Sequence, residues 1–405
     1  MIDAATGSKA ARGGGPRGCP RGTAVALLCL TLCLALLLAF APIASGASSS
    51  GPGVLGDDED RDRGQTGKTI PPEQLAHLSP ADRASRRALE EGLSWLADRQ
   101  RSTADGALPP IGAQSTRWAP VGVTALGSLA FLAAGSPPAR GPYGSEVAEM
   151  VNFLSNLADM RSNSETHGAI ERQGDSVSRA HGHGYATLVL AQAYGMSPKS
   201  ERLERVLKAA VARIEGSQGA EGGWGYQMAV EAFHEGSITI AHVQALRAAR
   251  NVGIAIDDEV VARAEDYVRR LQKEDGTFRY KLDDDRSSIA LTAAAISTLN
   301  ATGTYDDPAI QSGIDAIFRG LDRNQADQKE EDFPLYMRLY LAQALWQLSD
   351  PAPFERWWEK ELKTIVRTQR ADGSWGGSEY GDCYATAINC LALAIPEGVL
   401  PIFQR

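Results

Sequence analysis

The chain has 405 residues, with 41 basic and 50 acidic side chains and a formal charge of −9. That balance is poorly suited to holding nucleic acid or anionic lipid headgroups. Five cysteines are present, but only Cys383 and Cys390 follow residue 46. They lie seven apart on one predicted helix, roughly 10 Å at 1.5 Å per residue, too far to bridge, so no disulfide framework is expected.

The first segment reads as a targeting element. Lys9, Arg12, Arg17 and Arg21 precede an apolar run from Ala24 to Ile43, which small residues follow at Ala44–Ala47. Residues 1–46 are therefore expected to be a signal peptide, the alternative being an uncleaved N-terminal membrane anchor. Either way the remainder is exported, to the periplasm, the cell surface or beyond. Without these residues the balance is 37 basic against 49 acidic. Residues 47–78 are rich in Ser, Gly, Pro and charge and read as a disordered linker. The folded part, 79–405, opens at Ser79-Pro80-Ala81-Asp82, an N-cap serine with proline at the first helical position.

From there one pattern recurs. Apolar residues at i, i+3, i+4, i+7 mark outer-type helices at Leu89, Val147, Leu207, Ala264, Ile310 and Leu362. Each is followed by a segment that is apolar nearly all round: Gly122–Ala134, Gly184–Met196, Ser237–Arg250, Ser288–Asn300, Tyr336–Leu348 and Tyr384–Ile395. A helix apolar on every face is buried on every face. The expectation is all-α: six helical hairpins with an outer amphipathic layer and an inner apolar one. Such hairpins can coil as an open solenoid or close into a ring.

Between outer and inner helices stand turns of one kind. Gln218 leads through Gly222-Gly223 to Trp224, and Gln369 through Asp372-Gly373 to Trp375; Gln272 to Phe278 is a weaker copy, and Gln100 to Gly106 a weaker one still. This Gln, Gly, Trp order resembles the QW repeat of squalene and hopene cyclases and of protein prenyltransferase beta subunits. The resemblance implies a closed (α/α)6 toroid over residues 80–395 and a structural role for Gln218, Trp224, Gln272, Phe278, Gln369 and Trp375. Glycine permits the left-handed backbone of a tight helix exit, and the glutamine amide can bond the carbonyls left open there.

In such a toroid the inner helices begin around the mouth of a central cavity, where helix dipoles favour anions. The residues at those starts are the functional candidates. Trp118, His181, His183, Tyr185, Glu235, Tyr336 and Tyr384 are candidate ligand-binding residues. Asp283, Asp285, Asp332 and Asp382 are candidate catalytic acids. His181, His183, Asp382 and Cys383 form a candidate zinc set, because prenyltransferase subunits hold zinc through Asp, Cys and His at inner-helix starts. The carry-over is incomplete: Asp382-Cys383-Tyr384 leads to Ala385 where that family has a histidine, and Asp332-Phe333-Pro334 has no thiol. Asp283-Asp284-Asp285 also departs from the Asp-x-Asp-Asp acid of the cyclases, and reads more simply as charge complementing a helix N-terminus. Ser237 and His242 are five apart on one helix, off one face, which argues against a hydrolase dyad there.

The expected function is an exported toroid that binds a hydrophobic, isoprenoid-like ligand or a partner segment in its central cavity, without the family's full catalytic set. The alternative is a terpenoid-cyclase-like or carbohydrate-active enzyme that uses Asp283, Asp332 and Asp382 at the cavity mouth; for glycoside hydrolysis Glu235 would join them, with Trp118 and Tyr384 as sugar platforms.

Overall fold

The computed structural model describes residues 79–175, 179–301, 307–327 and 333–400. The proposed signal peptide or anchor, the linker and Asp332 lie outside them. No helix of the described residues is long and apolar enough to cross a membrane.

Twelve helices are described, in outer and inner pairs. The outer helices are α1 (Pro80–Arg101), α3 (Gly144–Asn156), α5 (Glu201–Gly216), α7 (Asp258–Arg270), α9 (Pro308–Asp327) and α11 (Ala352–Thr368). The inner helices are α2 (Pro120–Ala133), α4 (Arg179–Met196), α6 (Gly236–Asn251), α8 (Ile289–Ala301), α10 (Pro334–Trp346) and α12 (Asp382–Ala394). Consecutive inner helices pack side by side, and α12 returns to pack on α2, so the ring is closed. The open solenoid is excluded. Each outer helix lies mainly on the inner helix before it, with α1 seated on α12.

The two layers follow from their side chains. In α7 only Val261, Ala264, Tyr267 and Val268 are buried, one stripe on an otherwise charged helix. In α2 every residue is buried. Its face toward the ring axis is therefore as closed as its face toward the outer layer. The same holds for α12 from Cys383 onward. The tyrosines of the inner helices are buried: Tyr185, Tyr336, Tyr340 and Tyr384 are 1, 1, 0 and 3 % exposed.

The turns fasten each unit to the next. Gln218 donates from Nε2 to Gly222 O (2.9 Å) and to Val260 O at the start of α7 (2.8 Å). Gln272 does the same to Gly276 O and to Ala309 O in α9. Gln369 donates to Gly373 O and to Ala88 O of α1, which links the last unit to the first. The indoles of Trp224 and Trp375 each donate to a carbonyl ten residues earlier, Ile214 and Ile365, at 2.8 Å. Gly222 and Gly373 have φ of 92° and 88°, and a Cβ there would collide with the carbonyls of Arg263 and Glu91 on the next outer helix. Only glycine meets both conditions.

Two segments differ from the sequence expectation. The acidic run is not a helix-start complement. It forms a hairpin, β1 (Arg279–Lys281) with β2 (Asp284–Ser287), in which Lys281 faces Asp283, Arg279 faces Asp285 and Arg286 pairs with Asp284. Ser288 caps α8 instead, accepting the Leu291 N–H at 3.0 Å. The second difference is that α4 begins at Arg179, five residues before the expected Gly184. Gly182 and Gly184 are retained within the helix because Val121 of α2 and Ala241 and His242 of α6 press against them.

Candidate functional site

One recurring bond sets the rotation of the inner helices. The backbone N–H that ends each described turn is taken by an inner-helix side chain: Leu108 by Thr124 (3.0 Å), Trp224 by Thr239 (3.2 Å), Phe278 by Thr292 (3.0 Å) and Trp375 by Thr386 (3.0 Å). In the second unit the acceptor is Nδ1 of His183, which takes the Ile170 N–H at 3.0 Å. Its Nε2 then donates to Ala210 O of α5 at 3.1 Å. His183 thus replaces a threonine, and both its nitrogens are engaged by backbone.

These residues face the outer layer. At 3.6 residues per turn, the side chain two positions earlier points the opposite way, toward the axis. His181, Ser237 and Tyr384 hold that place on α4, α6 and α12. Contact confirms the first two, since His181 Nε2 meets Ser237 Oγ at 3.1 Å. The serine therefore does face a histidine, but it is His181 from the neighbouring helix and not His242 of its own. His242 donates from Nε2 to Ala180 O at 3.0 Å and stands edge-on to the Trp224 ring.

Ser237 leads to Glu235, the N-cap of α6. One carboxylate oxygen of Glu235 accepts both the N–H (2.7 Å) and the hydroxyl of Ser237; the other accepts the Tyr280 hydroxyl at 3.3 Å. The Tyr280 hydroxyl in turn bonds that of Tyr226, which is half-buried and stacks on Phe233. The result is a continuous chain, His181–Ser237–Glu235–Tyr280–Tyr226, running from the ring axis to the surface at the start of α6. Tyr280 and Leu291 form a small apolar cluster there with Phe233 and Phe333, separate from the main core.

Burial dominates the electrostatics. Glu235 is 0 % exposed. Loss of solvent lifts its carboxyl to about 7, against the opposing pull of the Ser237 and Tyr280 bonds. The same loss drives His181 and His183 down to about 3 and His242 to about 4, so all three rings are neutral at physiological pH. At about 7 the Glu235 carboxyl exchanges its proton near neutral pH, and Ser237 links it to the neutral His181 imidazole.

The other candidates lie apart from this chain. Asp283 and Asp285 are exposed on the hairpin, each facing a base. Asp382 is held by Arg370 at 2.6 Å, and the thiol of Cys383 is pushed by burial to about 12. Among the described residues no three His, Cys, Asp or Glu side chains gather as a metal would require, so His181, His183, Asp382 and Cys383 do not form one ligand set. Trp118 is half-buried under the Arg172 guanidinium. Tyr336 packs against Tyr340 inside the ring, with ring centroids 4.4 Å apart.

Sequence reasoning did not single out Tyr280 and Tyr226, since neither stands at an inner-helix start. It also passed over Gln244 of α6. That residue is completely buried, and neither atom of its amide has a hydrogen-bond partner among the described residues.

No protein-family model matches the sequence, and no curated protein matches it. Solved structures share the fold. The type II terpene cyclase MstE from Scytonema is 16% identical with a TM-score of 0.53, over 79% of this chain and 100% of that one. The GH76A alpha-1,6-mannanase from Salegentibacter is 10% identical with a TM-score of 0.56, over 79% and 100%. A glycoside hydrolase family 76 mannosidase from Bacteroides thetaiotaomicron is 10% identical with a TM-score of 0.54, over 80% and 99%. At such identities the likeness is one of architecture: this chain is an α/α toroid of the kind on which both terpenoid and carbohydrate enzymes are built.

Proposed function

We propose that the chain is an exported toroid of the QW-repeat type that takes an uncharged, isoprenoid-like ligand at the end of the ring where α6 begins, with Glu235 as the acid of that site. One observation carries the reading: a completely buried carboxyl, held by a hydroxyl and a phenol, whose burial lifts it to about 7. Delivering a proton to a double bond or an epoxide needs a neutral carboxylic acid in a dry, preorganised setting. The aromatic cluster of Tyr226, Phe233 and Tyr280 is suited to an apolar substrate.

Glycoside hydrolysis is supported less well. It needs two carboxylates about 5–9.5 Å apart across one bond. Asp283 and Asp285 are salt-bridged on an exposed hairpin, and Asp382 is committed to Arg370.

Native mass spectrometry of the gently purified protein is expected to show a co-purifying neutral lipid. Incubation with squalene or geranylgeraniol tests the acid directly: conversion to a cyclic or hydrated product should run below about pH 7 and disappear above it, following Glu235. Glu235→Gln should retain the lipid and lose the conversion. Retained lipid with no conversion in the wild type would leave a binding protein and remove the acid role. An empty protein that ignores both compounds but cleaves mannan would overturn the reading altogether.

A further inference from the structure

The axial side of the inner helices carries a second level of polar groups, deeper than the contact between Ser237 and His181. Thr239 faces the outer layer and Ser237 the axis, and the axial direction of Ser237 recurs after two turns of helix, at Gln244. Five residues past the side chain that bonds a turn, the same position is Leu129 on α2, Leu188 on α4, Ser297 on α8 and Leu391 on α12. On α10 the outer position is held by Arg338, bonded to Glu361 of α11, and five residues further stands Gln343. All six are buried. The level is divided: three consecutive helices, α6, α8 and α10, present polar side chains, and α12, α2 and α4 present leucine.

Two of the polar groups lack a bond. Among the described residues neither amide atom of Gln244 has a hydrogen-bond partner, and nor does Nε2 of Gln343. Tyr185, one turn after His181 on the axial side of α4, has its ring centroid 6.3 Å from that imidazole, and its buried hydroxyl is likewise unpartnered. Between α6 and α10, α8 contributes only Ala290, Ala294 and Ser297 to this side, all small. A buried amide without a bond destabilises the fold, whereas leucine at that position, as on three of the six helices, would not. None of these groups is charged. The Gln244 amide both donates and accepts, which matches a hydroxyl.

We propose that Gln244, with Gln343 and Tyr185, binds the hydroxyl of an isoprenoid alcohol inside the ring, its hydrocarbon chain lying along Leu129, Leu188 and Leu391. The inference rests on the reading of an isoprenoid-like ligand beside Glu235 and narrows that ligand from a hydrocarbon to an alcohol. Seven residues of helix set Gln244 about 10 Å below Ser237, so the hydroxyl and the double bond presented to Glu235 are separated by about that distance.

The test compares farnesol with farnesene, isoprenoids of equal chain length with and without the hydroxyl, by calorimetric titration of the full chain. The wild type should bind farnesol about tenfold or more tightly than farnesene. Gln244→Leu should bring the two within about twofold of each other by weakening farnesol alone, with a melting temperature unchanged or raised. Gln343→Leu should lose part of the preference and leave farnesene binding as it was. Equal binding of the two compounds by the wild type, or a preference that survives Gln244→Leu, overturns the proposal, gives the amide to a buried water and leaves the Glu235 reading standing. Binding of neither compound overturns both.

Discussion

The belt of turns around the outer layer and the packed axis of the ring are built from similar residues and satisfied very differently. In the belt, every glutamine and indole described above donates to a named backbone carbonyl, and the turn-ending N–H is taken by a threonine or by His183. On the inner helices, His181 bonds another side chain, the Glu235 carboxyl is lifted by burial to about 7, and Gln244 has no partner for its amide. Groups that fasten a fold are bonded to backbone, which cannot rearrange. His181 and the Tyr280 side of Glu235 are bonded to side chains, which can. His181 and His183, two residues apart on one helix, fall on opposite sides of that division.

The largest expected effect is in acid. His181, His183 and His242 have folded values near 3, 3 and 4, below the ordinary 6.5, so the unfolded chain takes up their protons first as pH falls. Their contribution is intact above about pH 6.5 and declines below it. By pH 5 the three together should have cost roughly 6 kcal/mol. Glu235 works in the opposite sense: its folded value is raised, so stability is lost as pH rises from about 4.5 through 7. Moving from pH 7 to pH 5 it should return about 2–3 kcal/mol. Urea unfolding across pH 5–8 measures the sum, and Glu235→Gln should steepen the acid loss.

Next comes the belt. Trp224→Ala removes a fully buried indole and its bond to Ile214 O, and about 3–5 kcal/mol should be lost in urea unfolding. A loss under about 1 kcal/mol would show that the turn is ornamental. Gly373→Ala, strained at φ 88° and pressed on Glu91 O, should cost at least about 1–2 kcal/mol and weaken the first-to-last closure.

Smaller effects separate the two regions most sharply. His183→Thr keeps an acceptor for the Ile170 N–H, whereas His183→Val does not; the threonine variant should be the more stable by roughly 1–2 kcal/mol. Equal stabilities would mean that the bond contributes nothing. On the axis side the sign reverses. Gln244→Leu removes an unpartnered buried amide and should leave stability unchanged or raise it by about 1 kcal/mol, read as a shift in melting temperature.

Much of the architecture was legible in the chain itself. Six hairpins, the outer and inner layers and the Ser79 cap follow from local periodicity and composition, which act within a few residues. The belt was readable where tryptophan marks it. It was not readable at Ile170, because the turn over residues 157–170 has neither Gln nor Trp and uses His183 where the other turns use threonine. The early start of α4 was hidden as well, since glycine argues against a helix unless neighbouring helices demand it.

Sequence alone determined that apolar all-round helices would be buried inside amphipathic ones, because that depends only on the order of side chains along each helix. Only the tertiary structure decided that the ring closes, that Tyr336 packs on Tyr340 between the inner helices, and that His181, Ser237, Glu235, Tyr280 and Tyr226 form one chain. These residues come from three successive units, and the rotation of the inner helices α2, α4, α6, α8 and α12 is set by a single threonine or histidine bond to a neighbouring turn. No local pattern records that rotation, and it is what separates a candidate acid from a candidate surface charge.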